Sequence, residues 1–383
     1  MTTFNTKTSA FKPTMETLEE RVVMNADIVF SGSGFNIVGG DYQDVVHVYQ
    51  DDDEIVVEVW SATAPGVTID PNNPQENDYV EHFEEDFDLE DVSAMSFRGR
   101  NGNDYFENRT NVRNYVYGES GNDTIRSGGG NDYIRGGAGD DRLEGGAGND
   151  RIYGEDGNDF IRGNDGNDKV VGGFGNDFIL GNAGRDLLYG DRRDYDMDRV
   201  WYQDINKDLS VELSDSIYQY TTRRLKQFVT DVDSDGHDWL WGGSDEDVMV
   251  GGGGDDYLHG QSGGDLIYGG KGSDTIQGGF GTNYLFGGDD HDRMYAVDTY
   301  SDSQTTEDRA IMYGGNGNDY MVGSRQDDYL NGEGGSDHLI GGEGVDMLWA
   351  IDGRQGDLIE YEYGVDYVGV DRGDEIVRFY PNR

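Results

Sequence analysis

From Gly118 to Tyr189 one apolar position returns every nine residues in an otherwise glycine-rich, polar chain. Ile125, Ile134, Leu143, Ile152, Ile161, Val170, Ile179 and Leu188 fill it in eight consecutive units. A spacing of nine matches neither the helical period nor the heptad. Each aliphatic residue sits between two others in a short run that predicts a three-residue strand with its middle side chain turned inward. The remainder of each unit reads Gly-Gly-x-Gly-Asn-Asp, as in Gly136–Glu144, Gly145–Tyr153 and, more loosely, Gly154–Arg162. Glycine reaches positive φ at little cost, so this part predicts a tight bend. Two units then make one coil, with a bend on each edge and a strand on each face. Residues 18 apart stack about 5 Å from one another, the spacing of neighbouring strands. One unit cannot bury its own aliphatic side chain, so stability has to come from the coils on either side. The expected fold class is all-β, a parallel β-solenoid.

Stacking also aligns the aspartates at position 6 of the unit. In the first block these are Asp123, Asp132, Asp141, Asp150, Asp159, Asp168, Asp177 and Asp186. The phrase returns later in the chain with Asp238, Asp247, Asp256, Asp265, Asp274 and Asp292, and again with Asp319, Asp328, Asp337 and Asp346. The 18-residue step gives twelve stacked pairs, from Asp123 over Asp141 to Asp328 over Asp346. Two carboxylates about 5 Å apart repel by about 0.8 kcal/mol in bulk water and about 3 kcal/mol near a protein surface. Over twelve pairs this sums to roughly 10–40 kcal/mol, against a net stability of an ordinary domain of about 5–15 kcal/mol. A metal-free stack is therefore expected not to fold. Calcium takes six to eight oxygen ligands in irregular geometry and suits carboxylates joined by bend carbonyls. Magnesium demands a tighter octahedron, and zinc lacks cysteine and has few histidines to bind in these repeats. All eighteen aspartates are candidate calcium ligands, with several ions bound. Asn283 stands at position 6 and should weaken the site shared with Asp265, while Asp245, Asp290 and Gln326 replace the position-4 glycine and strain those bends. Twelve or fewer ions are expected, the best of them between Gly118 and Tyr189.

These units resemble the RTX repeat, the haemolysin-type calcium-binding nonapeptide. The resemblance covers roughly half of the chain. It implies a right-handed parallel β-roll in which position-6 aspartates and bend carbonyls hold calcium. It also implies a bacterial protein, secreted or at the cell surface, that is disordered until it meets extracellular calcium. The stretch Phe11-Lys-Pro-Thr-Met-Glu-Thr-Leu-Glu-Glu-Arg-Val-Val-Met24 looks like a short Leu-Glu-x-Arg signature at the start of some large bacterial surface proteins. The far C-terminus, where such families often carry a type I secretion signal, ends in Phe-Tyr-Pro-Asn-Arg and offers no match.

The pattern divides the chain into a tail (1–25), an irregular strand-rich cap with a hairpin excursion (26–98), and a first roll block (99–189). An insertion lobe (190–232), a second block (233–295), a surface loop (296–313), a third block (314–349) and a C-terminal cap (350–383) follow. Asp51–Glu54 reads as an acidic turn before a strand at Ile55–Trp60. Asp70–Asp91 is read as a solvated acidic loop with room for an additional ion. Phe97–Glu107 starts the roll in degenerate form, with Asp104 one residue out of step with Asp123. The 190–232 lobe is nearly charge-balanced. Leu213, Ile217, Tyr220 and Leu225 fit one helical face, although a hairpin is also open. The plain reading docks this lobe on the acidic roll by charge complementarity. The alternative makes it a binding lobe for surface glycans or matrix proteins, using Trp201, Tyr202, Tyr218 and Tyr220.

Composition narrows the functional classes. A net charge of −49 with a mean hydropathy of −0.76 would signal disorder without the periodicity. Here much of that charge is the ligand set. It argues against nucleic acid or an anionic membrane as partner. Without cysteine no disulfide can staple the fold, and no run of 18 apolar residues predicts a transmembrane helix. The chain has no His-Glu-x-x-His, no Gly-x-Ser-x-Gly and no phosphate-binding Gly-x-x-x-x-Gly-Lys-[Ser/Thr]. His237 and His291 fall at position 5 of their units and are read as solvent-facing bend residues. The expected function is a calcium-binding structural or adhesive module without catalysis. A glycan- or protein-binding module is the second reading, and a polysaccharide-modifying lyase or epimerase the third.

Overall fold

The computed structural model describes residues 27–30, 34–74, 80–190, 236–297, 308–353, 356–362 and 366–379. The tail with its Leu-Glu-x-Arg stretch, the 190–232 lobe beyond Gly190, and residues 298–307 of the surface loop lie outside the described residues.

From Ala94 onward consecutive strands alternate between two sheets, one of 15 strands and one of 16 among the described residues. Each repeat strand pairs in parallel with the strand two places away. Ile134 lies between Val116 and Ile152 in one sheet, and Leu143 lies between Ile125 and Ile161 in the other. The two inner faces meet along a single row of aliphatic residues per sheet. Ile125, Ile134, Leu143, Ile152, Ile161, Val170, Ile179 and Leu188 are all 0 % exposed. One continuous core runs from Phe35 to Ile359. This is the parallel β-solenoid that the nine-residue period predicts.

The repeat blocks join into one solenoid. Phe178–Ala183 pairs directly with Trp239–Ser244 and Leu187–Tyr189 with Val248–Gly253, so the coils close up across the 191–235 segment. Thr282–Asp289 pairs with Arg309–Asn316 in the same way across residues 298–307. Around the first junction the outward-facing positions are also apolar and nearly inaccessible, from Tyr153 and Val171 through Leu187 and Val250 to Phe286. That second cluster surrounds Leu187–Tyr189, the strand from whose end the 191–235 segment departs.

At the N-terminal end Gly34–Val38 lies parallel to Ala94–Asn101, and Asp27–Phe30 adds to it antiparallel. Asp44–Asp51, Glu54–Ala62 and Val80–Asp88 extend the other sheet as an antiparallel meander. The expectation of a solvated loop over Asp70–Asp91 is thus corrected, because Val80–Asp88 is the edge strand of that meander. Its apolar residues are covered on both faces, Val80 beside Trp60 and Ala62 and Phe87 stacked on Phe35. The C-terminal stretch loses the nonapeptide but keeps the coil. Leu358–Glu362 and Glu375–Phe379 continue one sheet and Tyr367–Val370 the other.

Candidate metal ladders

Each bend is built around a glycine that cannot carry a Cβ. At Gly136 an added methyl would overlap Asp141 Oδ2, the carboxylate of the same bend, and press on the Gly154 carbonyl of the next coil. Positions 2 and 4 have the left-handed backbone, as at Gly137 (φ 122°) and Gly139 (φ 130°). Position 2 tolerates other residues at smaller φ, such as Glu155 (φ 83°) and Asn164 (φ 81°). Asp245 (φ 78°) and Asp290 (φ 79°) do take the left-handed backbone at position 4, where the sequence predicts strain. Gln326 is not among the residues with positive φ, so its bend takes another path.

The bend closes with Asn or Asp at position 5 and Asp at position 6, and the two bond in opposite directions. Position-5 side chains accept the backbone N–H of the following coil, as in Asn176 N–H to Asn158 Oδ1 at 2.9 Å. His237 and His291 take this role as exposed bend residues. Their Nδ1 atoms accept the N–H of Asp255 at 2.7 Å and of Asn318 at 2.8 Å. Position-6 carboxylates accept from the preceding coil. Asp123 N–H donates to Asp141 Oδ1 at 2.7 Å, and Asp141 N–H to Asp159 Oδ1 at 2.8 Å.

These bonds draw two ladders, one on each edge of the solenoid. Edge one runs Asp44, Asp104, Asp123, Asp141, Asp159, Asp177, Asp238, Asp256, Asp274, Asp292, Asp319, Asp337 and Asp357, each N–H donating to the next Oδ1 at 2.7–2.9 Å. Edge two runs Asn114, Asp132, Asp150, Asp168, Asp186, Asp247, Asp265 and Asn283. After Ala310 it resumes through Asp328, Asp346 and Asp366. All eighteen predicted aspartates fall in these ladders. Two of the joining steps span 61 residues, Asp177 to Asp238 and Asp186 to Asp247, and one spans 27, Asp292 to Asp319.

Four further aspartates join the ladders beyond the eighteen candidates, Asp104 among them, which the sequence places one residue out of step. Asp44 belongs to Gly39-Gly40-x-x-x-Asp44-x-Val46, which fills positions 1, 2, 6 and 8 and was legible as a unit. Asp104 stacks on Asp123 despite its 19-residue offset, the extra residue being absorbed in the irregular turn at Asn108–Val112. Asp357 and Asp366 follow steps of 20 residues, which a fixed 18-residue step cannot find.

The second carboxylate oxygen is the chemically informative atom. Oδ2 of Asp123, Asp141, Asp159, Asp274, Asp292 and Asp319 on edge one is buried without a hydrogen-bond donor. The same is true of Asp150, Asp168, Asp186, Asp247, Asp265 and Asp346 on edge two. Burial pushes these carboxyls up, to about 8 at Asp141 and about 9 at Asp247 and Asp274. Like-charged neighbours such as Asp292 beside Asp274 contribute after burial. Loss of water, rather than mutual repulsion, is therefore the first cost of the empty ladder. A buried anionic oxygen with no donor, close to glycine carbonyls of successive coils, is a cradle for a hard cation. The donor set is all oxygen, as calcium requires.

The family model "RTX calcium-binding nonapeptide repeat (4 copies)" matches residues 110–143, 135–170, 162–192, 232–258, 259–294 and 313–348. No curated protein matches the chain. Among the described residues no helix is long and apolar enough to cross a membrane. The chain thus carries RTX calcium-binding nonapeptide repeats, folded as a parallel β-solenoid, and these repeats bind calcium ions.

Proposed function

We propose that this chain is an extracellular structural module whose solenoid forms when calcium enters the two aspartate ladders. The ions are held by the position-6 aspartates whose Oδ2 lacks a donor, with bend carbonyls completing the oxygen shell. Asp104, whose Oδ2 is also buried without a donor, extends the ligand set predicted from sequence, while Asp328 drops out, and Asp44 stays out, because Ser324 N–H and Gly40 N–H already occupy their Oδ2 atoms. One observation carries this reading: the series of buried, donorless Oδ2 atoms along the edges. Millimolar calcium outside cells matches the weak affinities of extracellular calcium modules, about 10⁻⁴–10⁻³ M. Folding there and not in the cytosol follows from that match, and we assign the folded solenoid a role as spacer or adhesive surface after export.

Circular dichroism at pH 8 tests the reading. In chelator the chain should give a coil-like spectrum, and millimolar calcium should restore the β signal where millimolar magnesium does not. β content that survives chelation at that pH would refute the proposal. Export is checked separately by recovering the chain from the culture medium of its host.

A further inference from the structure

The antiparallel extension at the N-terminal end holds a different set of metal-binding groups. Its register lines up Glu107, His47, Glu58 and Glu84 in one row across four strands, with Tyr105, Val45, Trp60 and His82 in the row beside it. The rows are two residues apart on each strand, so both project from one face. One ligand-capable atom from each of Glu58, His82 and Glu84 lies within 4.8 Å of the other two. His82 stacks on Trp60 with ring centroids 4.5 Å apart and an interplanar angle of 11°, which fixes the imidazole. Its Nε2 is buried and has no hydrogen-bond partner. His47, directly opposite Glu58 in the ladder, also carries a buried Nε2 without a partner.

Charge in the row is unevenly answered. Glu107 is held by Arg109 at 2.7 Å and faces Arg126 at 3.7 Å. Among the described residues no arginine or lysine pairs with Glu58 or Glu84. Two carboxylates are thus drawn together beside an imidazole nitrogen with nothing to bind.

We propose that Glu58, His82 and Glu84 form a site for one transition-metal ion of the zinc class, separate from the calcium ladders. An imidazole with two carboxylates is a three-ligand set that zinc accepts, leaving a fourth position to water. Calcium prefers six to eight oxygens, and a nitrogen ligand with only two carboxylates serves it poorly. Glu84 is exposed, so the ion has access from solvent. Glu58 lies on the central strand of the meander and His82 and Glu84 on its edge strand, so the ion staples Val80–Asp88 to its neighbour.

The test uses the full chain saturated with millimolar calcium and titrated with zinc chloride by calorimetry, with cobalt(II) absorption as a second readout. One zinc equivalent per chain should bind beyond the calcium. His82→Ala and Glu84→Gln should each weaken it about tenfold or more and abolish the cobalt d–d bands. The calcium-dependent circular dichroism of both variants should be unchanged. Glu84→Gln alters an exposed side chain and keeps the test decisive if His82→Ala misfolds. Zinc affinity and stoichiometry equal to wild type in the folded variants would overturn the proposal, as would no zinc binding at about 100 μM.

Discussion

The two edges of the solenoid use the same bend but not to the same extent. On edge one an aspartate stands at every rung from Asp44 to Asp357. On edge two three consecutive rungs depart: Asn283, Ala310 and Asp328. At each departure a group of the protein stands where an ion is needed elsewhere, or the need disappears. Asn283 Nδ2 donates to the Gly279 carbonyl at 3.2 Å, Ala310 has no polar side chain, and Asp328 Oδ2 receives the Ser324 N–H. The insertions give the same contrast. The 191–235 segment splits an edge-one bend whose two ends, Gly190 and Asp238, still meet as glycine and aspartate. Residues 298–307 split an edge-two bend in which both ends are alanine, Ala296 and Ala310. An ion-holding bend is thus defined by a glycine and a carboxylate meeting in space, not by the chain between them. At Ala296 and Ala310 both requirements lapse together, at Asn283 only the carboxylate is lost beside Gly278, and at Asp328 both remain but the Ser324 N–H takes the oxygen.

The broadest effect that could break this comparison is that of pH. Asp141, Asp186 and Asp292 titrate at about 8 in the metal-free fold and Asp247 and Asp274 at about 9, against 3.8 for an ordinary aspartate, with burial as the first cause. A raised folded-state pKa means that the fold binds protons more tightly than the unfolded chain. Its stability is then complete below about pH 4 and lost as pH rises through the folded values. The metal-free protein should therefore gain β structure on acidification and lose it between about pH 6 and 9. The calcium-loaded protein should show the opposite slope, because protons displace the ion. Thermal melts in chelator and in calcium across that range check both arms. Parallel slopes would show that the ladders do not hold the ion.

A smaller effect should separate the edges directly. Asp159→Asn keeps an acceptor for the Asp141 N–H but removes the charge at an edge-one rung. Equilibrium dialysis should then count fewer calcium ions, and the loss should be about 3 kcal/mol per ion site at calcium one hundredfold above Kd. Asp328→Asn on edge two should leave the ion count unchanged. Both of its carboxylate oxygens already receive backbone N–H groups, from Ala310 and Ser324, and burial raises its carboxyl only to about 6. An amide can accept only one of these, so this variant should lose about 1–3 kcal/mol whatever the calcium level.

How much of this was legible in the chain follows from what each residue answers to. Ile134 and Asp141 answer to rungs one coil away, and a fixed step of 18 residues found them with their neighbours. The step fails where coils take up extra residues, so the joins from Asp177 to Asp238 and from Asp292 to Asp319 were invisible to it. Asp44 was legible from its own glycines, but the antiparallel strands beside it hid the unit. The acidic run at Asp70–Asp91 suggests solvent by its charge density, whereas Val80 and Phe87 within it are covered on opposite faces of a paired strand. That Ser324 would take over Asp328 was beyond reach, since it depends on a bend path no spacing specifies.

Restoring the missing rung should sharpen the contrast by a single site. Asn283→Asp keeps the acceptor for the Asp265 N–H at 2.9 Å and recreates a carboxylate beneath Gly278. One additional calcium ion should appear by dialysis, with a gain of about 1–2 kcal/mol after the lost Asn283 amide bond is subtracted. Ala310 leaves the next rung empty and Ala296 stands where the other bends have glycine, so adding Ala296→Gly and Ala310→Asp should add more than Asn283→Asp alone. An unchanged ion count in the triple variant would mean that edge two was closed to calcium by backbone path and not by side-chain identity.

The smallest effect should be the same on both edges. Asp290 lies in an edge-one bend and Asp245 in an edge-two bend, each at position 4 with φ near 80°. A non-glycine residue held there costs on the order of 1 kcal/mol, with aspartate at the mild end. Each also presses on two buried carboxyls, Asp290 on Asp274 and Asp292, and Asp245 on Asp186 and Asp247. Glycine removes both the strain and the charge but adds freedom to the unfolded chain. Asp290→Gly and Asp245→Gly should therefore each stabilise the calcium-loaded protein by about 0.5–1 kcal/mol in denaturant melts, with ion counts unchanged. A gain confined to Asp290→Gly would show that the left-handed backbone at position 4 is strained on edge one alone.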